Sequence, residues 1–457
     1  MSRHHQVDLG QGSVRKLLFR LSVPTITSQI VNMLYNIVDR VFIGHMEPME
    51  TVGKLALTGV GVCLPIVLAV SAFASLFAVG GAPRASISEG RGDRDAAESI
   101  MGNSFTMLVS AALVLTAAVL LFAEPILLCF GASENTVGYA LDYIRVYALG
   151  TVFVQITLGM NAYITAQGAA TVGMKTVLIG ALLNILLDPV FIFGFHMGVK
   201  GAALATVLSQ AVSCLWVLRF LTGTGTRWKL RKVCLRLRPQ VFLPSLALGL
   251  APCIMNATES LIAVCFNSSL LKYGGDLAVG SMTVLSSIMQ FAIMPLLGLG
   301  QGAMPIISYN FGAQNRRRVQ DTFRCLLVTS VIYSMVFWLF VQLFPGVFIT
   351  LFNSDPTLVE YGAWALRIYM GAMGLFGIQV ACQQTFMALG NAKASLFLAI
   401  LRKIILLVPL IYILPRFFAA KDFAVFLAEP VADVLAVTTT AVLFFFQFRK
   451  AMADLPA

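Results

Sequence analysis

Charge is scarce in this chain of 457 residues: Asp, Glu, Lys and Arg make up 12% of it, against roughly 25% in soluble domains. Hydrophobic residues make up 58%. This composition excludes an ordinary soluble enzyme and a disordered chain, and it indicates a polytopic membrane protein. Apolar stretches such as 108–122 lack the alternation of barrel strands, so the spans are predicted to be α-helices.

Motifs for metal, redox and nucleotide chemistry are also absent from the sequence. The eight cysteines include no Cys-x-x-Cys pair, which argues against a structural metal or a redox couple. A Gly-x-x-x-x-Gly-Lys-Ser/Thr loop, a His-Glu-x-x-His motif and a Gly-x-Ser-x-Gly elbow are all missing. We therefore predict neither an enzyme nor a cofactor, and an intramembrane enzyme is kept only as an alternative of a different class.

Long apolar stretches, separated by glycine, proline and charge, predict twelve membrane-spanning helices. The predicted spans are 17–43, 55–82, 100–123, 136–160, 171–194, 198–221, 241–270, 277–307, 319–344, 358–386, 394–418 and 423–448. Positive charge gathers in alternate connections, most densely between Arg227 and Arg238. By the positive-inside rule these connections and both termini face the cytoplasm, in a multi-pass protein of the plasma membrane. The basic charge thus belongs to loops, and we expect no nucleic-acid partner.

An internal repeat divides the chain into two halves. Matching residues lie 222 positions apart at Gly80/Gly302, Pro83/Pro305, Gly90/Gly312, Arg94/Arg316, Phe130/Phe352, Tyr139/Tyr361, Arg145/Arg367, Tyr147/Tyr369 and Gly168/Gly390. Each copy holds six spans, so both copies enter the membrane in the same direction.

The repeat defines the expected fold class and domains. We predict an all-α membrane protein of two six-helix lobes, related by a pseudo-twofold axis along the membrane normal. The lobes are 1–222 and 241–457, and 223–240 is a basic cytoplasmic linker. Two such lobes are the usual layout of a transporter, although duplication alone could also build a larger bundle.

Few polar side chains lie deep in the first-half spans, where a charge costs about 2.5–3.5 kcal/mol. Candidates for binding a cation are Asp39 in the first span, Asn184 and Asp188 on one face of the fifth, and Thr206 in the sixth. These oxygens predict a metal site for Na⁺, or a carboxylate pair that shares a proton. Alternatively, Asp39 pairs with Arg40 at the interface and Asp188 only marks a helix end.

The second half offers a different polar set, so the lobes are predicted to be chemically unequal. Candidates for contacting a substrate are Asn256 and Glu259 in the seventh span, Gln290 in the eighth, and Gln379 and Gln383 in the tenth. A buried carboxylate at Glu259 would recognise an organic cation; alternatively, it is satisfied by hydrogen bonds to the glutamines. Arg402 and Lys403 in the eleventh span are predicted to snorkel to the cytoplasmic surface.

Several segments together resemble the multidrug and toxic compound extrusion (MATE) family, in particular its MepA-like bacterial exporters. They are residues 35–45 (YNIVDRVFIGH), the Pro83/Gly90 and Pro305/Gly312 elements, Asn184-x-x-x-Asp188-Pro189 and residues 201–210 (GAALATVLSQ). The resemblance covers nearly the whole chain. It implies a secondary antiporter that expels organic cations or amphiphilic drugs against H⁺ or Na⁺ by alternating access, working in membrane lipid and as a monomer.

The resemblance also implies roles for individual residues. It implies that the first-half cation site consists of Asp39, Asn184, Asp188 and Thr206, and that the first helix bends at Pro24. One departure is that the tenth span shows Gln379, Gln383 and Gln384 where members with a second-lobe cation site have an acid, which argues against coupling there. A lipid-linked-oligosaccharide flippase of the same superfamily is the alternative, although such proteins line their cleft with cations.

Overall fold

The structure is a computed structural model of the chain, and it describes residues 7–46, 52–352 and 355–456. All regular secondary structure within these ranges is helical. Eight helices are long and apolar enough to cross a membrane, and two helix pairs, bent by 58° and 47°, each qualify as one further span. The prediction of an all-α membrane protein is confirmed.

The first half contains six helical segments. They are α1 Val14–Gly44, α2 Lys54–Gly90, α3 Arg94–Cys129, α4 Val137–Leu149 with Thr151–Ala166, α5 Ala170–Gly194 and α6 Val199–Thr222. The second half begins with α7 and α8, which run together over Pro239–Gly312. It continues with α9 Arg316–Leu343, α10 Pro356–Tyr369 with Met373–Ala388, α11 Ala392–Arg416 and α12 Lys421–Ala453.

The stretch Pro239–Gly312 holds 74 residues, and as one straight helix it would be about 111 Å long, far more than a bilayer. Gly275 divides it with a positive φ of 66°, so α7 comprises 239–274 and α8 comprises 276–312. The predicted spans 241–270 and 277–307 are corrected here, because helix continues up to the glycine from both sides. With this division and α1, the described chain holds the twelve predicted helices.

The described chain forms two compact units. Unit 1 comprises residues 7–9 and Thr27–Gly249, and unit 2 comprises Gly10–Ile26 and Leu250–Ala457. α1 therefore passes from unit 2 to unit 1 just after Pro24, and its backbone is helical throughout. Next to this proline, the Thr25 hydroxyl donates to the carbonyl oxygen of Gly298 at 2.6 Å, which fixes the first part of α1 to α8 within unit 2.

Each unit has its own core of packed apolar side chains. Unit 1 is built around Tyr143 on α4 and around Met101 on α3, while unit 2 is built around Phe266 on α7 and Phe386 on α10. Many large apolar side chains point away from these cores, including those of Leu121 and its neighbours on α3. Such a surface suits contact with lipid.

Local geometry repeats at the offset found in the sequence. In unit 1 the Ser86 hydroxyl donates to the carbonyl oxygen of Ala166 at 2.9 Å. In unit 2 Ser308 donates to the carbonyl oxygen of Ala388 at 2.8 Å, and both residues of this pair lie 222 positions after their counterparts. A sharply bent helix pair also occurs in each half. These features confirm the internal repeat.

The segment 223–240, predicted as a linker, folds against unit 1. Trp228 is fully buried, and its amide donates to Gln167 Oε1 at 3.3 Å. Arg231 Nε lies 2.9 Å from Oε2 of the buried Glu98. The segment is thus held in place by side chains of α3 and of the turn after α4.

Candidate functional site

Three side chains of the predicted cation site meet where α5 packs against α6 in unit 1. Asn184 and Asp188 lie one turn apart on α5 and are buried, and Thr206 lies on α6. Asn184 Nδ2 donates at 3.3 Å to both Asp188 Oδ1 and Thr206 Oγ1. The Thr206 hydroxyl in turn donates to the carbonyl oxygen of Ala202 at 3.1 Å. The Asn184 amide therefore links the Asp188 carboxylate to Thr206 of α6.

α1 adds the Asp39 carboxyl group, which lies within hydrogen-bonding range of Asp188. Ionised carboxylates only accept hydrogen bonds, so this contact needs a proton or a cation between them. Asp39 Oδ1, Asn184 Oδ1 and Asp188 Oδ2 are buried without a hydrogen-bond partner in the described chain. Asp39 thus faces Asp188 and is more than a partner of Arg40, and Asp188 lies inside α5 instead of at its end.

The sequence following Asp188 shapes this part of α5. Pro189 cannot donate a helical hydrogen bond, and Val190–Gly194 form a π-helical turn directly after it. Such turns widen a helix locally and are frequent at functional sites. The proline and the widened turn thus interrupt the regular α-helical hydrogen bonding of α5 directly after Asp188.

Two tyrosines beside Asp39 were missed in the sequence. Tyr35 and Tyr143 are both close enough for the Asp39 charge to act on them. Tyr143 also stacks on Tyr147, with ring centroids 6.0 Å apart. Tyr35 lies four residues before Asp39 on α1, so its spacing was a usable signal, whereas only the tertiary structure brings Tyr143 of α4 to the carboxyl pair.

The residues predicted to contact a substrate are only partly brought together in unit 2. Gln379 Nε2 donates to Gln383 Oε1 at 3.4 Å, and Gln383 Nε2 donates to the Met255 sulfur at 3.2 Å. Asn256 is half-buried on α7, and Gln290 is exposed on α8. Gln383 thus links α10 to α7, and among the described residues Gln290 forms no hydrogen bond with either glutamine.

Glu259 forms an ion pair with Lys403 of α11, which neither interpretation of the sequence foresaw. The Lys403 side chain is buried, whereas that of Glu259 is 58% exposed. The carboxylate is therefore neither an open site for a cation nor a group satisfied by the glutamines. It already has an internal cationic partner.

Arg402 is buried beside Lys403 and is held by two acids of α12. Its Nε donates to Asp433 Oδ1 at 2.7 Å and its Nη2 donates to Glu429 Oε1 at 2.9 Å. The guanidinium also lies 4.6 Å from the centre of the Phe376 ring. The prediction that Arg402 and Lys403 snorkel to the surface is wrong, because neighbouring helices supply carboxylates for both.

Glu429 and Asp433 are functional candidates that the sequence interpretation missed. They lie four residues apart on α12, on either side of Pro430, and so share a helix face. The same spacing identified Asn184 and Asp188, so the signal was present. In the described parts of both units, no three His, Cys, Asp or Glu side chains are placed to hold a metal ion.

A family model described as MatE matches residues 24–190 and 252–413 of the chain. Multidrug export protein MepA of Staphylococcus haemolyticus (strain JCSC1435) is 26% identical over 431 residues, which cover 93% of this chain and 93% of that protein. The same-named protein of Staphylococcus aureus (strain N315) is 26% identical over 411 residues, covering 89% of this chain and 88% of that one.

Solved structures show the same fold. A crystal structure of MATE in the bent conformation matches with a TM-score of 0.90 at 22% identity, covering 97% of each chain. The outward-facing conformation of a multidrug resistance MATE family transporter of the MOP superfamily matches with a TM-score of 0.89, also at 22% identity, over 97% of this chain and 98% of that one.

Proposed function

Because the chain belongs to the MatE family, we propose that it is a secondary active multidrug exporter and not an enzyme. It expels organic cations or amphiphilic drugs from the cytoplasm in exchange for H⁺ or Na⁺, by alternating access in the plasma membrane. Relatives that are 26% identical over most of the chain carry the name multidrug export protein, which supports this class of cargo. Both termini and the basic segment 223–240 face the cytoplasm in this proposal.

The carboxyl pair of Asp39 and Asp188 is the observation that carries the coupling function. Two acids in contact inside an apolar span repel each other when both are ionised, so the site favours binding a positive ion. Asn184 and Thr206 complete an all-oxygen set of the kind that hard cations prefer. A shared proton fits the same arrangement, and so either coupling ion fits the residues present.

Coupling follows if the site binds its ion more tightly in one conformation than in the other. A ligand shifts a conformational equilibrium only through such a difference in affinity. Asp39 comes from α1, whereas Asp188 comes from α5, so a movement of α1 relative to α5 would separate the acids and release the ion. Pro24, close to where α1 passes between the compact units, is the proposed bending point.

The substrate is proposed to bind at the polar residues of unit 2. Its candidate contacts are Asn256, Glu259, Gln290, Gln379 and Gln383. A flippase for lipid-linked oligosaccharides would instead need cations available for a pyrophosphate. Arg402 and Lys403, the cations buried in unit 2, are both paired with carboxylates, which favours the exporter.

Transport by purified protein in liposomes tests this proposal. Ethidium movement would be followed by fluorescence under an imposed pH gradient, an imposed Na⁺ gradient, and neither. The proposal predicts that at least one gradient drives ethidium against its concentration gradient. Ethidium movement that is equal under all three conditions would contradict an antiporter.

A further inference from the structure

Unit 2 contains a buried ionic cluster with an unbalanced charge. We define the ionic cluster as Glu259 of α7, Arg402 and Lys403 of α11, and Glu429 and Asp433 of α12. Three carboxylates face two cations, so the formal charge is one unit negative. Among the described residues, the Tyr369 side chain also faces these groups, and it is neutral when protonated. A net charge buried among apolar helices is costly, so one added positive charge would stabilise the cluster.

The unbalanced charge is not evenly spread. Arg402 forms ion pairs with both Glu429 and Asp433, whereas the ion pair of Lys403 is with Glu259. One carboxylate of α12 therefore lacks a cation of its own. The side chains of the four residues on α11 and α12 are at most 10% exposed, while that of Glu259 is 58% exposed. A proton can reach the inner end of the cluster, but a bulky cation can reach only Glu259.

We propose that Lys403 is a mobile counter-ion, which makes the ionic cluster a site for either one proton or one organic cation. With Glu429 protonated, Lys403 pairs with Glu259 as in the structure, and the cluster is neutral. When Glu429 releases its proton to water, Lys403 turns to Glu429, and Glu259 is left to bind an organic cation. The cluster is neutral again, so the two ligands exclude each other.

The side chains of the ionic cluster fit these roles. Arg402 is fixed by two carboxylates and the Phe376 ring, whereas lysine carries a compact charge on a flexible four-carbon stem. The charge of Lys403 already acts on Glu429. Both cations also lie in the π-helical segment Leu401–Leu407, and such segments are frequent at functional sites.

The inference takes its substrate class from the proposed function, but its test requires no transport. Ethidium binding to the purified protein in detergent would be measured by fluorescence polarisation across a pH series. For the wild type, affinity should rise with pH by about tenfold per pH unit over the titrating range, the slope of a one-for-one exchange. Absence of this rise, including absence of ethidium binding at any pH, would overturn the proposal.

Two variants should remove the pH dependence of ethidium affinity, one by making binding tight at every pH and the other by making it weak at every pH. Lys403→Met removes the internal competitor, so ethidium should bind at acid pH as tightly as at alkaline pH. Glu429→Gln imitates the protonated acid, so binding should stay weak at every pH. A wild-type pH slope in either folded variant contradicts the mobile lysine. Matched controls are Lys393→Met and Glu360→Gln, which change exposed residues of the same unit and should keep the wild-type slope.

The same titration of Asp39→Asn separates this proposal from the coupling function of unit 1. The exchange of ethidium for a proton should survive in that variant, because the ionic cluster lies wholly in unit 2. Loss of the pH slope in Asp39→Asn would place the exchange in unit 1 and overturn the inference. Failure of gradient-driven transport with an intact pH slope would contradict only the proposed function.

Discussion

Replacing Arg402 by methionine should strongly destabilise the protein, because one guanidinium neutralises two buried acids. Methionine keeps much of the volume but removes the cation whose nitrogens lie 2.9 and 2.7 Å from Glu429 and Asp433, which leaves Lys403 as the single cation for the three acids of the ionic cluster. Removing one partner of a buried pair costs about 3–5 kcal/mol. Loss of the contact with the Phe376 ring, 4.6 Å away, adds about 0.5–2 kcal/mol. Uptake of protons by the acids limits the total, so we expect a loss of about 3–6 kcal/mol at alkaline pH.

Thermal unfolding of the purified protein in detergent measures this loss. Acid neutralises carboxylates that have lost their cationic partner, so part of the lost stability of Arg402→Met should return as the pH falls. Adding Glu429→Gln and Asp433→Asn to the variant removes both charges and should also restore stability. Arg324→Met, a change at an exposed arginine of α9, should alter stability by no more than about 0.5 kcal/mol.

Two results would refute this reasoning. One is an Arg402→Met protein that is as stable as the wild type at alkaline pH. The other is a triple variant that is no more stable than Arg402→Met, since the loss would then come from packing and not from unpaired charge.

Three further predictions concern orientation, the basic segment and the substrate. A cysteine at Lys232, in a background without the native cysteines, should react with an impermeant maleimide only after the inner face of the membrane is exposed; labelling of intact cells would reverse the topology. Trp228→Ala should lower stability in thermal unfolding by about 3–5 kcal/mol, whereas Val233→Ala, at an exposed site, should change it by no more than about 0.5 kcal/mol. Glu259→Gln should weaken binding of ethidium more than binding of a neutral amphiphile, and equal weakening of both would argue against a role in recognising charge.

The spans and the unit 1 group could be predicted because their signals are local. Apolar length marks the helices, and the four-residue spacing of Asn184 and Asp188 places both on one face of α5. Long-range contacts carry no such signal. Arg402 and Lys403 looked like snorkelling residues because their partners lie in other helices. Glu429 could have been suspected from its own spacing, but not assigned to Arg402.

The contacts of the basic segment 223–240 could not be predicted either, because they too are long-range. Its charge predicted a cytoplasmic connection, but nothing local indicates that Trp228 is buried or that Gln167, about 60 residues earlier, accepts its amide hydrogen bond. The predicted connection between α7 and α8 is wrong for a different reason. Residues 271–276 were predicted to connect two separate spans, whereas a single positive φ at Gly275 is enough to divide two helices.

In the proposed mechanism an ion bound between Asp39 and Asp188 drives export, and Asp39→Asn tests this coupling most directly. The change removes one negative charge while keeping the shape of the side chain. In liposomes under pH or Na⁺ gradients, ethidium efflux by this variant should fall to background, although its ethidium affinity in detergent stays at the wild-type value. Asp142→Asn, which changes an acid paired with Lys200 at 3.3 Å, should keep wild-type efflux. Gradient-driven efflux by Asp39→Asn at the wild-type rate would contradict the account.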